Sequence, residues 1–375
     1  MTGLLWIAIY ACVVFIVVFT FRCQKATQLV CGTTGLITKN KKTPTHYFAL
    51  IIIYALLFAL VNLICTRTSI AFGSDRENYL HEFGGNRETS VGLEFVFYLF
   101  RITSNNFEHV LLFTTFICTL IILFTHKFFE NNSKVSLVFL LTTDFVFFTF
   151  TSLKQSYACA LSAVFFLLLT RRKTFARNIV CILLIVLASL FHSSSVILIP
   201  IFIICNLKKI TKTTLLIYVL LLLLLFVFFN NIGAFLSALV KPFSSGLSAL
   251  LSKYFVNLDY SDETSFVAFL KGTPFYLLFG LGCFYRDRIK NKCKDYDMYL
   301  ILLSTASMLY LCSIYIYWTM RFRAFFYLPA AIFLSVICKN VSLPEKQIIS
   351  FSVIGLNAIL LVRWIYLVFS NYGGF

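Results

Sequence analysis

His192 interrupts a stretch, Asn178 to Asn206, that is otherwise almost wholly apolar, and Ser193, Ser194 and Ser195 follow it directly. An imidazole and three hydroxyls can donate and accept hydrogen bonds, and the imidazole can also take a proton. At membrane depth such groups are costly unless they are paired or line a cavity. Three other constellations could do chemistry. Tyr317-Trp318-Thr319-Met320-Arg321-Phe322-Arg323 sets two arginines around a phenylalanine, and a guanidinium fork meets two phosphate oxygens at once. Leu153-Lys154-Gln155-Ser156 puts a cation in a short turn between apolar runs. Residues 66–105 carry Asp75, Arg76, Glu77, Tyr79, His81, Glu82, Arg87, Glu88, Glu94 and Arg101. Mixed charges among aromatics suit a polar, hydroxyl-rich ligand at a membrane surface. Plainer readings stand beside these: a solvated loop for the acids, snorkelling for Lys154 and interfacial anchoring for the arginines.

The elements that must position these residues follow from hydropathy and charge. The chain of 375 residues is 60% hydrophobic, 18% aromatic and only 13% charged, with a mean hydropathy of +0.89. That composition excludes a soluble domain and describes an integral, polytopic membrane protein. The expected fold is all-α: one integral membrane domain over 1–375, a transmembrane bundle of about twelve crossings. They fall near 4–21, 47–65, 106–125, 135–150, 157–170, 179–191, 193–205, 214–230, 265–284, 298–316, 324–338 and 348–369. The net charge of +17 does not point to nucleic acid, because 21 of the 32 Lys and Arg residues fall in the linkers assigned inside, as topology signals do. Two outer segments remain, 66–105 and 231–264. Within the first, Leu93 to Phe100 is apolar but too short to cross, so it is expected in the interface as a wall of a lateral entrance for lipid. The N-terminus reads as a retained anchor that starts outside. No disulfide framework and no metal-ligand spacing is visible.

The segment around His192 is the exception to simple crossing. Arg171, Arg172, Lys173 and Arg177 precede it and Lys208, Lys209 and Lys212 follow it, so a single crossing would put one cluster on the wrong face. The segment must go in and come back. Roughly 13 residues on each side of the histidine rise only about 20 Å as helix, short of a bilayer's ~30 Å. Two short or broken helices over 179–205, meeting near the far face, are therefore expected.

Asp75-Arg76-Glu77-Asn78-Tyr79, Lys154-Gln155, Ala188-Ser189-Leu190-Phe191-His192-Ser193-Ser194-Ser195-Val196 and Arg321-Phe322-Arg323, in that order, resemble the EpsG family of Wzy-like exopolysaccharide and O-antigen polymerases. The family commonly has arginine where Lys154 stands; lysine keeps the charge and loses the fork. The resemblance implies a membrane glycosyltransferase of the bacterial inner (cytoplasmic) membrane, joining oligosaccharide repeat units carried on a polyprenyl diphosphate at its outer face. It implies that Arg321, Arg323 and Lys154 meet the diphosphate, which gains charge as it leaves. It offers His192, Asp75 and Glu77 as the base for the attacking hydroxyl, with Tyr79, Glu82, Gln155 and Arg101 as substrate contacts. No cofactor and no metal is expected. The bilayer, a flippase and a chain-length regulator are the expected partners. A flippase or other transporter of lipid-linked oligosaccharide, or a non-catalytic membrane subunit of a polysaccharide export system, would use the same buried ions. The sugar, its linkage and the stereochemical outcome are not written in these residues.

Overall fold

The computed structural model describes residues 49, 51–60, 74–143, 152–206, 213, 216, 217, 220, 265–312 and 320–372, and every regular element among them is helical. The expected crossing at 4–21, most of that at 214–230 and the outer segment 231–264 lie outside the described residues. In chain order the helices are α1 (Ile51–Leu60), α2 (Ser74–Phe83), α3 (Val91–Thr103), α4 (Phe107–Phe128), α5 (Lys134–Leu141), α6 (Leu153–Leu169), α7 (Phe175–Phe191), α8 (Leu198–Asn206), α9 (Ser265–Phe284), α10 (Tyr296–Cys312), α11 (Met320–Arg323), α12 (Tyr327–Asn340) and α13 (Leu343–Tyr372), with one further helical turn, Arg286–Ile289, between α9 and α10. Two of them contain an apolar stretch long enough to cross a bilayer alone, Phe107–Phe128 and Leu343–Arg363; shorter apolar stretches of 10–17 described residues include Leu153–Leu169, Phe175–Phe191 and Phe269–Phe284.

α12 is the axis of the bundle. Every residue from Tyr327 to Cys338 is buried, the all-round apolar burial of a core helix. It packs against α5, α10 and α13, and α9 closes the far side against α10. α4, α6 and α7 form the second layer. Small residues on α6, among them Ala158, Cys159, Ala160, Ser162 and Ala163, are fully buried. Such residues let helix backbones approach closely where lipid supplies no hydrophobic drive.

Among the described residues, the linkers assigned inside at 127–134, 171–177, 286–294 and 339–346 gather at one end. Arg171 and Lys294 both reach Glu130, at 3.7 and 3.9 Å, and Arg171 Nη2 donates to the Phe128 carbonyl at 2.9 Å. Arg288 lies 3.5 Å from Glu345, and the Tyr285 hydroxyl donates to the same carboxylate at 3.1 Å. Arg286, nearly buried, is paired with Asp297 at 2.9 Å, and Lys290 with the other oxygen of Asp297 at 2.7 Å. These contacts tie the chain around 130, 171, 285–297 and 345 into one basic end.

The broken pair has the expected form. α7 ends at Phe191, His192 turns extended (φ −147°, ψ 122°), and a 3-10 turn over Ser193–Ile197 leads into α8. Serines favour such a break because their hydroxyls compete for backbone groups. At the other end Arg177 donates to Asn178 at 2.6 Å and also to Asn206, so the start of α7 and the end of α8 lie at one level. α7 begins four residues before the expected 179, because Thr174 accepts from the Arg177 amide at 3.1 Å and caps it. With the native cysteines removed, cysteines placed at Lys173 and at Lys209 should both resist a membrane-impermeant thiol reagent added outside. Labelling of one alone would mean a single crossing.

Segment 66–105, expected as an outer segment with an interfacial stretch at Leu93 to Phe100, carries α2 and α3 among its described residues. α2 stops at Gly85, whose φ of +79° disfavours a side chain. The Asn86 amide bonds the His81 carbonyl at 2.9 Å and the Gly85 amide bonds that of Glu82 at 3.1 Å, the double closure of a Schellman motif. α3 buries Gly92, Leu93, Val96 and Phe97 and exposes Val91, Phe95, Tyr98, Leu99 and Ile102. Its buried and exposed faces are both apolar, so the outward face suits lipid rather than water.

Candidate functional site

Glu82 and Lys154 meet at the end of the bundle opposite the basic linkers. Lys154 Nζ donates to Glu82 Oε1 at 2.9 Å and lies 5.6 Å from the centre of the Tyr79 ring. Tyr79 and Glu82 are three apart on α2, hence on one face, and both are 8% exposed. Lys154 is the second residue of α6. A helix start carries unpaired amides and partial positive charge, so lysine and helix together favour an anion there. Glu82 is that anion in the structure. Its second oxygen, Oε2, is buried without a hydrogen-bond partner among the described residues.

Arg101 fixes the backbone beneath this pair. Nε donates to the Phe83 carbonyl at 2.7 Å, Nη2 to the Glu82 carbonyl at 3.1 Å, and Nη1 to Glu94 at 2.6 Å. The guanidinium also sits 5.7 and 5.9 Å from the centres of the Phe83 and Phe97 rings. A cation on the last carbonyls of a helix satisfies them and suits its dipole. Arg101, expected among the substrate contacts, thus clamps α2 to α3 through every described bond it makes.

From Lys154 a chain of contacts leads to His192. Tyr157, three residues on along α6, stacks on Phe191 with ring centres 4.5 Å apart, and its hydroxyl shares a 3.0 Å bond with Thr114. The Phe191 ring lies against Gly92, where a Cβ would come within 2.8 Å of it. Only glycine lets α3 approach α7 this closely. His192 then caps the 3-10 turn. Its Nδ1 lies 3.2 Å from the Ser194 amide and also meets the Ser194 hydroxyl. An amide can only donate, so Nδ1 is the accepting nitrogen and, in the neutral ring, Nε2 bears the proton. The imidazole is arranged to donate from Nε2. The Ser195 hydroxyl beside it is buried without a partner among the described residues.

On the other flank α11 packs against Ser193–Ile197. Arg323 is 4% exposed, with its guanidinium carbon 5.1 Å from the centre of the Tyr310 ring. Tyr310 and Tyr327 share a 3.3 Å hydroxyl contact, and Phe275 lies 5.0 and 5.7 Å from their rings. An arginine this buried is packed inside the protein. Its charge rests over the Tyr310 ring, where cation–π attraction of up to about 2 kcal/mol offsets part of its desolvation.

The candidates therefore divide. Lys154, Tyr79, Glu82, His192 and Arg323 fall in one band across the end of the bundle, and Arg101 holds one side of it. Gln155 is buried beside Lys154. Glu77 is exposed, about 140° round α2 from Glu82 at helical pitch. Asp75 is placed on α2, two turns before Glu82, and Arg321 on α11; the side chains of both lie outside the described residues. Among the described residues no three His, Cys, Asp or Glu side chains come together as a metal site. Sequence reasoning missed the Glu82–Lys154 pair and the Arg101 clamp. The i, i+3 spacing of Tyr79 and Glu82 was the one local signal.

A family model, that of the EpsG family, matches residues 49–373. The chain belongs to the EpsG family. EpsG proteins are Wzy-like polymerases, which makes this chain a membrane protein of exopolysaccharide biosynthesis. The match spans every candidate from Asp75 to Arg323. No curated protein and no solved structure matches the chain.

Proposed function

We propose that this EpsG protein polymerises polyprenyl-diphosphate-linked oligosaccharide repeat units by glycosyl transfer at the outer face of the bacterial inner membrane. In this reading the whole chain is one integral domain of about twelve crossings. The observation that carries it is the single band of Lys154, Glu82, Tyr79, His192 and Arg323 at the end of the bundle away from the basic linkers. A diphosphate bound there meets fixed cations, which stabilise leaving-group charge without reorganising.

Chemically, an acceptor-sugar hydroxyl oxygen bonds to the donor's anomeric carbon as the bond from that carbon to phosphate breaks. The electron pair leaves with the carrier diphosphate, against Arg321, Arg323 and Lys154. His192, with Nδ1 accepting, serves through an Nε2 hydrogen bond to a phosphate or sugar oxygen. The hydroxyl proton goes to a carboxylate on α2, where Asp75, Glu77 and Glu82 stand. Tyr79 and Gln155 supply sugar contacts, and the carrier's tail follows the exposed apolar face of α3 into the bilayer. A flippase would deliver the repeat units and a chain-length regulator would stop their growth.

The position of Lys154 gives a direct expectation. Lys154→Arg restores the fork, so it should support chain lengths at least equal to wild type, whereas Lys154→Met should shorten them by the order of 100-fold in rate. Gel profiles of the polymer read both. Removing the gene from a producing cell tests the function itself. Single repeat units should then accumulate on the carrier, exposed outside. Accumulation inside instead would assign the chain to transport.

A further inference from the structure

We infer that Glu82 is the proton acceptor for the attacking sugar hydroxyl. The assignment rests on the polymerase reading above and makes it specific to one oxygen. Four observations converge on it. Glu82 is the described acid of α2 that is both buried and inside the band, whereas Glu77 is exposed on another face. Its Oε1 is held by Lys154 at 2.9 Å, while Oε2 is buried with no hydrogen-bond partner among the described residues. A buried carboxylate oxygen left without a donor is costly, and a substrate hydroxyl is a donor of the right kind. The backbone under Glu82 is clamped, with its own carbonyl bonded by Arg101 at 3.1 Å and by the Gly85 amide at 3.1 Å. Finally, His192 accepts at Nδ1, so its ring is committed as a donor and the base must be another group.

In the step that follows, the acceptor hydroxyl gives its proton to Glu82 Oε2 while its oxygen forms the new bond to the anomeric carbon. The carbon–oxygen bond to the diphosphate breaks, and the diphosphate takes the electron pair. Lys154 links the two halves of the reaction. It holds Glu82 in the structure and turns toward the diphosphate as negative charge grows there, so loss of the leaving group and release of Glu82 to accept a proton are coupled. Once protonated, Glu82 no longer competes for the lysine.

The test compares chain extension with carrier binding in the full-length protein. Glu82→Gln keeps the size and the hydrogen bonding but cannot take a proton. In a producing cell it should lower chain extension by about 100-fold or more, corrected for protein in the membrane. The same variant, purified in detergent, should bind undecaprenyl diphosphate as tightly as wild type or tighter, because Lys154 is freed. Extension within about 3-fold of wild type would overturn the assignment. So would a loss of carrier binding in step with extension, since Glu82 would then merely hold Lys154. If Glu82→Gln is absent from the membrane, Glu82→Asp decides: drawing the oxygen back by one methylene should cost about 10- to 100-fold in extension at unchanged carrier binding, and wild-type extension overturns the idea. A wild-type chain that makes no polymer in the same assay removes the polymerase reading itself.

Discussion

His192→Ala is expected to stop polymer formation while the protein remains abundant and monodisperse in detergent. The structural cost of the change is small. The ring caps a 3-10 turn through one amide and one hydroxyl, and a lost cap costs about 1 kcal/mol against a typical domain stability of about 5–15 kcal/mol. The stacked Tyr157–Phe191 pair and the Gly92 contact remain to hold the end of α7. The chemical cost is large, because removing one donor aimed at developing charge costs about 100- to 1,000-fold in rate. His192→Gln separates the roles. A donor role survives in part with an amide, whereas a proton-transfer role does not. Retained polymer with Gln therefore supports donation from Nε2. Equal loss with Gln and Ala returns His192 to the base position, and disappearance of His192→Ala from the membrane makes it a structural clasp alone.

Arg323→Ala and Arg321→Ala should each abolish chain extension, with single repeat units accumulating on the carrier. Arg323 is the sharper case. It lies 4% exposed beside the Tyr310 ring, so its charge is worth more to a phosphate than a solvated one is. Lysine should rescue only partly at either position, because it is a point charge without the planar fork. Chain lengths near wild type with alanine at both positions would reduce the pair to anchors. For Arg323 the control is abundance, since the buried Tyr310 ring loses its cation when the guanidinium is removed.

How much of this was legible in the sequence depends on the range of the forces involved. The basic clusters around Asn178–Asn206 announced a segment that returns, because charge placement relative to the bilayer is a local property of sequence. The Arg177–Asn206 contact closes that loop where charge said it must. The break at His192 was legible for the same reason, since a histidine and three serines cannot continue an apolar helix unmarked. The α2–α3 hairpin was not. α2 is too polar to register as a crossing and too short to show a clear period, and its end is set by Gly85 and the remote Arg101. The Glu82–Lys154 pair joins residues 72 apart, which no local pattern encodes. For Arg323 a phosphate contact and an interfacial anchor both stayed open, because sequence shows the aromatics around an arginine but not how deeply it is buried.

The central claim is bond formation between repeat units, and reconstitution tests it most directly. The purified protein in liposomes, given polyprenyl-diphosphate-linked repeat units and nothing else, should produce carrier-linked glycans of two and more repeats and release one free carrier diphosphate for each bond made. Glycans that stay one repeat long while crossing the bilayer would contradict it and make the chain a transporter.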